Sequence, residues 1–317
     1  LNPKMQKEDP SRIVAIIGPG RIGQAMGRLL AESRVPIAYI VARNPAAARR
    51  AARFIGKGIP TGLADPRLQS ASVVLITTSD SAIADVARRL AKLGKGTDAW
   101  RGKVVLHTCG SLPSGVLLPL QLRGAAIGSL HPYQTVPSPQ AGVRNLRGCY
   151  WALEGDRPAI RVARSWVTLL GGVAFSIRPK EKTLYHLSAF MVSPTLVTLM
   201  AQAAALLKQA GVPPGIARPM LRQFVAETAR NFAEMGARRA LTGPAVRGDW
   251  ATIRRHVAAL RRSAPEFVPV YQSLLQAMLR LAGNAPRRSG KSKAKGKGQK
   301  SKGKSGKVRA TSLPYPA

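Results

Sequence analysis

The sequence predicts an α/β N-terminal half, a Rossmann-like doubly wound sheet, followed by an all-α C-terminal domain. Three observations predict it. Short apolar runs alternate with helical segments through the first half of the chain. A glycine-rich turn, Gly18-Pro19-Gly20-Arg21-Ile22-Gly23, follows the first run and opens a helix. After "VAFSIRP" the strand signals stop and only helical periodicity continues. The divisions read from this are residues 11–156 for the sheet-bearing half, 157–283 for a mainly helical domain and 284–317 for a basic tail.

Each element has a local reason. "RIVAIIG", 12–18, is an apolar run closed by glycine and reads as a strand buried on both faces. "RIGQAMGRLLAES" reads as a helix, "VPIAYIVA" (35–42) as a strand, and "PAAARRAARFIG" as a helix stopped at Gly56. "ASVVLITTS" (71–79) is a further strand, and Asp80 is the expected cap of the helix "SAIADVARRLAKLG". "KVVLHTCG" (103–110), "AAIGSLHP" (125–132) and "CYWALEG" (149–155) complete the strands. Helices are expected near 181–210, 214–236, 249–263 and 265–282, separated by "GVPPG", "LTGP" and "SAP". Asp249 is placed to cap the third of these, leaving Arg247 in the preceding turn.

Composition narrows the classes. The chain has 317 residues, 45% hydrophobic, enough for two cores. Its two cysteines, Cys109 and Cys149, lack metal spacing and read as reduced thiols of a cytoplasmic protein. The first ten residues contain no signal-peptide apolar core. Leu187 to Leu207 carries no charge and is long enough to span a bilayer. It also holds Ser188, Ser193, Pro194, Thr195, Thr198 and Gln202, so a helix buried on all sides of a bundle is the expectation, without a membrane. The net charge is +36, and eleven of the fifty Lys and Arg lie after Ala282 among Gly, Ser and Lys repeats. That tail is expected to be unstructured. It either holds nucleic acid or an acidic surface weakly, or has no fixed partner, since no aromatic interleaves with its lysines.

The turn after the first strand is the first chemical signal. Gly18 allows the turn, Gly20 lets the backbone approach a pyrophosphate, and Gly23 lets helix and strand pack closely; Arg21 and Ile22 lie between them. The helix N-terminus offers free N–H groups to an anion. A carboxylate at the end of the second strand would take the ribose hydroxyls of NAD. Here the strand ends Val41-Ala42-Arg43-Asn44, so Arg43 points to the 2′-phosphate of NADP, NAD being the lesser alternative. Thr77, Thr78 and His107 are expected at the carboxyl edge of the sheet, where open α/β sheets bind ligands. His131 ends a strand at the same edge. On the long helix Lys182, His186 and Ser193 fall at i, i+4 and i+11, on one face. Lys182 and His186 are candidate proton donors to a substrate carbonyl. They read equally as a solvated first-turn lysine and a core histidine. His131 and Arg247 are candidates to hold a substrate anion, with Ser193 and His107 also lining the substrate. No histidine pair has metal spacing, so no metal is expected.

Six stretches occur in order: "GPGRIGQAMG", "TTSDSAIADVA", "LHTCGSLPSGVLLPL", "GSLHPYQTV", "LYHLSAFMVSPTLVTL" and "LTGPAVRGDWATIRRHVAAL". Together, over about residues 12–280, they resemble the bacterial Rossmann-like proteins with a C-terminal domain of unknown function 2520. That family is similar to the group of 6-phosphogluconate, 3-hydroxyisobutyrate, ketopantoate and pyrroline-carboxylate oxidoreductases. The resemblance implies an NADP-linked oxidoreductase acting on a small-molecule substrate, with a helical domain that often forms a homodimer. In the broader group a lysine near the start of the corresponding helix often assists proton transfer, and Lys182 matches it. The family's Tyr-His-Ala-Ala-Ala and Ala-Ser-Asn are here Tyr185-His186-Leu187-Ser188-Ala189 and Val192-Ser193-Pro194. Proline in place of that asparagine predicts a kinked helix. Cys109 takes a usual serine position. The leading expectation is a reductase of a small, anionic carbonyl or imine. The rivals are a non-catalytic NADP-binding sensor or scaffold and a nucleic-acid-associated protein.

Overall fold

A computed structural model of the chain describes residues 12–283. The basic tail, with the partners expected of it, lies outside the described residues. The chain forms two compact units, divided between Ala203 and Ala204.

The first unit alternates strand and helix. Its elements are β1 (Val14–Ile17), α1 (Arg21–Glu32), β2 (Ile37–Val41), α2 (Pro45–Ile55), β3 (Ile59–Thr61), β4 (Val73–Ile76), α3 (Asp80–Ala91), β5 (Val104–His107), α4 (Leu118–Gln121), β6 (Ala126–Pro132), α5 (Pro139–Asn145), β7 (Tyr150–Gly155), α6 (Arg157–Leu169) and β8 (Val173–Ser176). Among the described residues the strands form one sheet in the order β3-β2-β1-β4-β5-β6-β7-β8. Neighbouring strands are parallel, except β6 with β7. The order reverses at β1, between β2 and β4, which opens the crevice where doubly wound sheets take ligands.

Strand alternation builds both faces. Val14 and Ile16 of β1, Leu75 of β4 and Leu106 of β5 pack with α1, α2 and α6. Their neighbours Ala15, Ile17, Ile76 and Val105 face the other way, toward α3 and α4. Asn44 caps α2 through Ala46 N–H, and Gly56 closes that helix in the left-handed conformation (φ 81°). Ser79, not Asp80, holds the N-cap position of α3; Asp80 is its first helical residue and makes no capping bond. Its carboxylate instead accepts from Ser111 Oγ at 3.4 Å. The sheet also continues beyond residue 156, the expected end of this half. The amphipathic α6 crosses over β6 and β7 and returns the chain as β8, parallel to β7.

The expected helix at 181–210 is two: α7 (Lys182–Val192) and α8 (Pro194–Gln209). The break falls at Ser193 (φ −119°, ψ −84°), where Pro194 removes a backbone donor. The expectation that this segment is buried on all sides does not hold. Pro179–Gln209 is long and apolar enough to cross a membrane by length and composition (mean hydropathy 1.7), and among the described residues none of its most apolar window is buried. Leu184, Leu187, Phe190, Met191, Val192 and Val197 are all exposed.

The second unit holds the end of α8 and the helices α9 (Pro214–Ala240), α10 (Pro244–Arg247), α11 (Trp250–Ser263) and α12 (Val268–Ala282). Gly236 (φ 73°) interrupts α9 near its end. Ala245, Ile253, Leu275 and Leu279 form a small core, and Tyr271 packs on it. Asp249 caps α11 by accepting from Thr252 N–H at 3.0 Å. On α9, Ile216, Met220, Phe224, Phe232 and Met235 form an exposed apolar stripe.

Candidate functional site

The loop after β1 is held from several sides. Gly18 N–H donates to Val41 O at 2.8 Å and Gly20 N–H to Gly18 O at 2.7 Å. Gln24 Nε2 reaches back to Pro19 O at 2.9 Å. Thr77 Oγ1, at the end of β4, donates to Gly18 O at 2.8 Å. Two of the three glycines are demanded by the protein itself. Gly18 has φ 73°, and a Cβ there would stand 2.3 Å from Thr78 Cγ2; a Cβ on Gly23 would stand 2.2 Å from Thr77 Oγ1. Gly20 is different: a Cβ there would meet only Gly18 O, at 3.9 Å. Packing therefore gives no reason for this glycine, and the open space beside it fits an approaching ligand. No side chain caps α1, whose first N–H groups lack intrahelical partners. Thr78 Oγ1 is buried without a hydrogen-bond partner in the same place. The residues fit a bound dinucleotide phosphate. Arg43 is exposed just beyond β2, and Arg21 is exposed at the start of α1. Ile22 packs on the core behind the loop.

A second cluster stands at the ends of β5, β6 and β7, where α7 begins. Lys182 is 1% exposed. Its Nζ donates to Cys109 O at 3.0 Å and Ser129 Oγ at 2.5 Å, and lies 3.5 Å from Glu154 Oε1. Glu154, 5% exposed, accepts from Ser114 N–H, Ser114 Oγ and Ser129 Oγ at 2.7, 2.8 and 2.8 Å. Burial lowers the Lys182 pKa and the Glu154 charge opposes that shift. One turn along α7, Tyr185 Oη and His131 Nδ1 share a hydrogen bond of 2.9 Å. Burial pushes the phenol of Tyr185 up. The rings of His131 and His186 meet edge to face with centroids 5.8 Å apart. Gly110 admits that approach, since a Cβ there would lie 2.6 Å from His186 Cδ2 and 2.7 Å from His131 Nε2. Burial first, then the Lys182 charge, pulls the His131 pKa down to about 4. Tyr133 Oη and Ser188 Oγ pair at 3.1 Å beside this group. Among the described residues no group of three or more His, Cys, Asp or Glu could hold a metal ion.

Comparison with known proteins agrees with this architecture. The model of the Rossmann-like domain matches residues 3–132, and that of the domain of unknown function DUF2520 matches residues 149–278. The chain is a Rossmann-like protein with a DUF2520 domain. Among solved structures it is similar to a Bacteroides fragilis protein provisionally named an NADP oxidoreductase (22% identity, 86% of this chain and 99% of that one, TM-score 0.70). It is also similar to a Thermotoga maritima protein (21% identity, 85% and 98%, TM-score 0.65) and to the Streptomyces aurantiacus imine reductase (18% identity, 86% and 96%, TM-score 0.60). At these identities the likeness is one of fold. No curated protein sequence matches the chain.

The structure brings together Lys182, His186, His131 and His107, but in different capacities from those expected. His107 has no exposed surface, and its Nδ1 accepts from Cys109 N–H at 3.1 Å, which shapes the turn after β5. Burial, then the Lys182 charge, holds its pKa down to about 3. Lys182 is not a solvated first-turn residue, because its stem runs inward to Glu154. Thr77 is spent on the Gly18 carbonyl. Ser193 leaves the stripe of Lys182 and His186 because the helix breaks at that residue. Arg247 is exposed at the end of α10, in the second unit. Sequence reading missed Glu154, Ser129 and Ser114. The available signal was one carboxylate in an otherwise apolar strand, "YWALEG", which burial obliges to find partners.

Proposed function

We propose that this chain is an NADP-dependent oxidoreductase that reduces a small carbonyl or imine compound. The observation that carries the reading is Gly20: a glycine that no contact among the described residues requires, at an uncapped helix start, on the sheet edge where β6 also ends beside His131. The loop Gly18–Gly23 and the first turn of α1 hold the pyrophosphate. Arg43 takes the 2′-phosphate, and Thr78 faces the cofactor from β4. NADPH supplies a hydride when bound. His186 orients the substrate or gives it a proton, with His131 beside it. The cation of Lys182 is already neutralised by Glu154, so it is not left to hold an anionic group on the substrate. The names of the neighbours support the class of chemistry: imine reductases from Streptomyces aurantiacus and a Pseudomonas species, and pyrroline-carboxylate reductases, that of Plasmodium falciparum with NADP bound.

The exposed apolar faces of α7, α8 and α9 are those of a homodimer in this reading. A second copy covers Phe190, Val197 and Phe224, and the location is cytoplasmic, in keeping with two unpaired cysteines. The deciding experiment is Gly20→Val. Its melting temperature should fall only slightly, because the added Cβ meets only Gly18 O at 3.9 Å and valine is a poorer N-cap than glycine, while NADPH binding in calorimetry should be lost. A Gly20→Val protein that still binds NADPH as the parent does would remove the loop from the site.

A further inference from the structure

The three hydrogens of the Lys182 ammonium face three acceptors: the Cys109 carbonyl, Ser129 Oγ and Glu154 Oε1. The Ser129 hydroxyl gives its own hydrogen to Glu154, and so does the hydroxyl of Ser114. The network is closed, and with 1% exposure no direction of Nζ is left for a substrate. A group that delivers a proton to a bound molecule must reach its atoms. Meanwhile α7 starts at Lys182 with no side-chain cap, and most of its residues are exposed. The inward-pointing polar anchor of its first turn is this lysine, tied to β6 through Ser129, to β7 through Glu154 and to the turn after β5 through Cys109.

We propose that Lys182 is a positioning residue: a buried cation, clamped by Glu154 and Ser129, that docks the first turn of α7 on the sheet edge and so sets Tyr185 and His186 against His131 and Gly110. Proton delivery, in the reading of the site given above, then belongs to the His131, Tyr185 and His186 group and not to the lysine. Only the kinetic part of the test rests on that reading.

The test uses the full chain and two variants, Lys182→Met and the double Lys182→Met/Glu154→Gln. The first leaves the Glu154 carboxylate buried without its cation; the second removes both charges and keeps the volumes. Lys182→Met should melt lower and expose the α7 amides to faster hydrogen exchange, and the double variant should recover most of both. Ring-nitrogen NMR on the cofactor-free chain should show His131 titrating at higher pH in Lys182→Met. The groups facing His131 are Lys182, Tyr185 and His186 on α7, Asp80 on α3 and His107 on β5, and only the first changes. With NADPH and two probes, a cyclic imine and pyrroline carboxylate, the double variant should turn over within ~10-fold of the parent. A double variant that regains melting temperature and α7 protection yet stays slower by ~10²–10⁴, the worth of a positioned acid, would make Lys182 the donor and overturn the proposal. So would a Lys182→Met protein with unchanged melting, exchange and titration. Should Lys182→Met not fold, the double variant decides alone. Should the parent reduce neither probe, the functional reading loses its support, while melting, exchange and titration still decide the role of the lysine.

Discussion

Replacing Gly23 with alanine tests whether close contact between α1 and β4 shapes the nucleotide loop. The new Cβ would lie 2.2 Å from Thr77 Oγ1 and 3.1 Å from Thr77 Cβ. The hydroxyl must rotate away and give up its bonds to Gly18 O (2.8 Å) and Ile17 O (3.2 Å). Overpacking of a tight site costs about 1–3 kcal/mol, and a lost buried hydrogen bond about 1 kcal/mol. Alanine in place of glycine within a helix returns about 0.5–1 kcal/mol. Gly23→Ala should therefore destabilise the chain by about 1–3 kcal/mol. In a Thr77→Ala background the hydroxyl is already gone, and the remaining contacts are those with Thr77 Cβ at 3.1 Å and Gly18 O at 3.4 Å. There the same substitution should be close to neutral. Urea unfolding of the parent, both single variants and the double variant gives the coupling directly. The coupling should be about 1–3 kcal/mol in favour of the double variant. Costs that add within about 0.5 kcal/mol would refute the reasoning, because they would mean that Gly23 and Thr77 do not compete for one space.

Further outcomes follow from the same geometry. Arg43→Asp should weaken NADP by about 10–100-fold, the worth of a charge-assisted contact, and NAD much less; equal losses in calorimetry would remove Arg43 from the 2′-phosphate. His107 and His131 are held neutral in the fold, with pKa values of about 3 and 4 against 6.5 for a free imidazole. Below pH 6.5 the unfolded chain binds the extra protons, so this stability is complete above pH 6.5 and is lost as the pH falls toward 4. Urea midpoints at pH 7, 5.5 and 4 should fall in that order, less steeply in His131→Gln. Phe224→Glu places a charge on the exposed stripe of α9; the parent should sediment as a dimer and this variant as a monomer.

The sheet was largely legible because its strands announce themselves. A parallel strand buried on both faces is a continuous apolar run, and "VAII", "VVLI" and "VVLH" each end where the polar turn begins. What escaped are the edges. β3 is three residues, Ile-Pro-Thr, with a proline that argues against a strand; it is tolerated because β3 pairs on one side only. β8 follows a helix and precedes the helical half, so the boundary drawn at residue 156 cut a continuing sheet. The apolar α7 and α8 looked like core because composition reports what a helix must hide, not what hides it. Among the described residues their most apolar stretch stays uncovered.

The site divides along the same line. The glycine loop was readable because its three glycines fall within six residues directly after the first strand, although the clearance Gly23 needs is set by Thr77, far along the chain. The residues of the second cluster answer a constraint set far away in sequence. Lys182 and Glu154 are 28 positions apart, and Ser129 and Ser114 come from two further segments, joined only when β6, β7 and the turn after β5 are laid side by side. Helical spacing placed Lys182 on the face of His186, and that face does meet the sheet. Spacing says nothing of depth, however. The same stripe that carries His186 to His131 buries the lysine against a carboxylate, and burial turns a candidate acid into a fixed counter-ion. His107 shows the same effect: the register that ends β5 at the sheet's ligand-bearing edge also points its ring beneath the turn, where Nδ1 is taken by Cys109. A polar residue at a strand end or on a helix stripe is thus assigned to a site by position. Whether it touches a ligand or holds the groups that do is decided by which partner reaches it first, and for Lys182 that partner is Glu154.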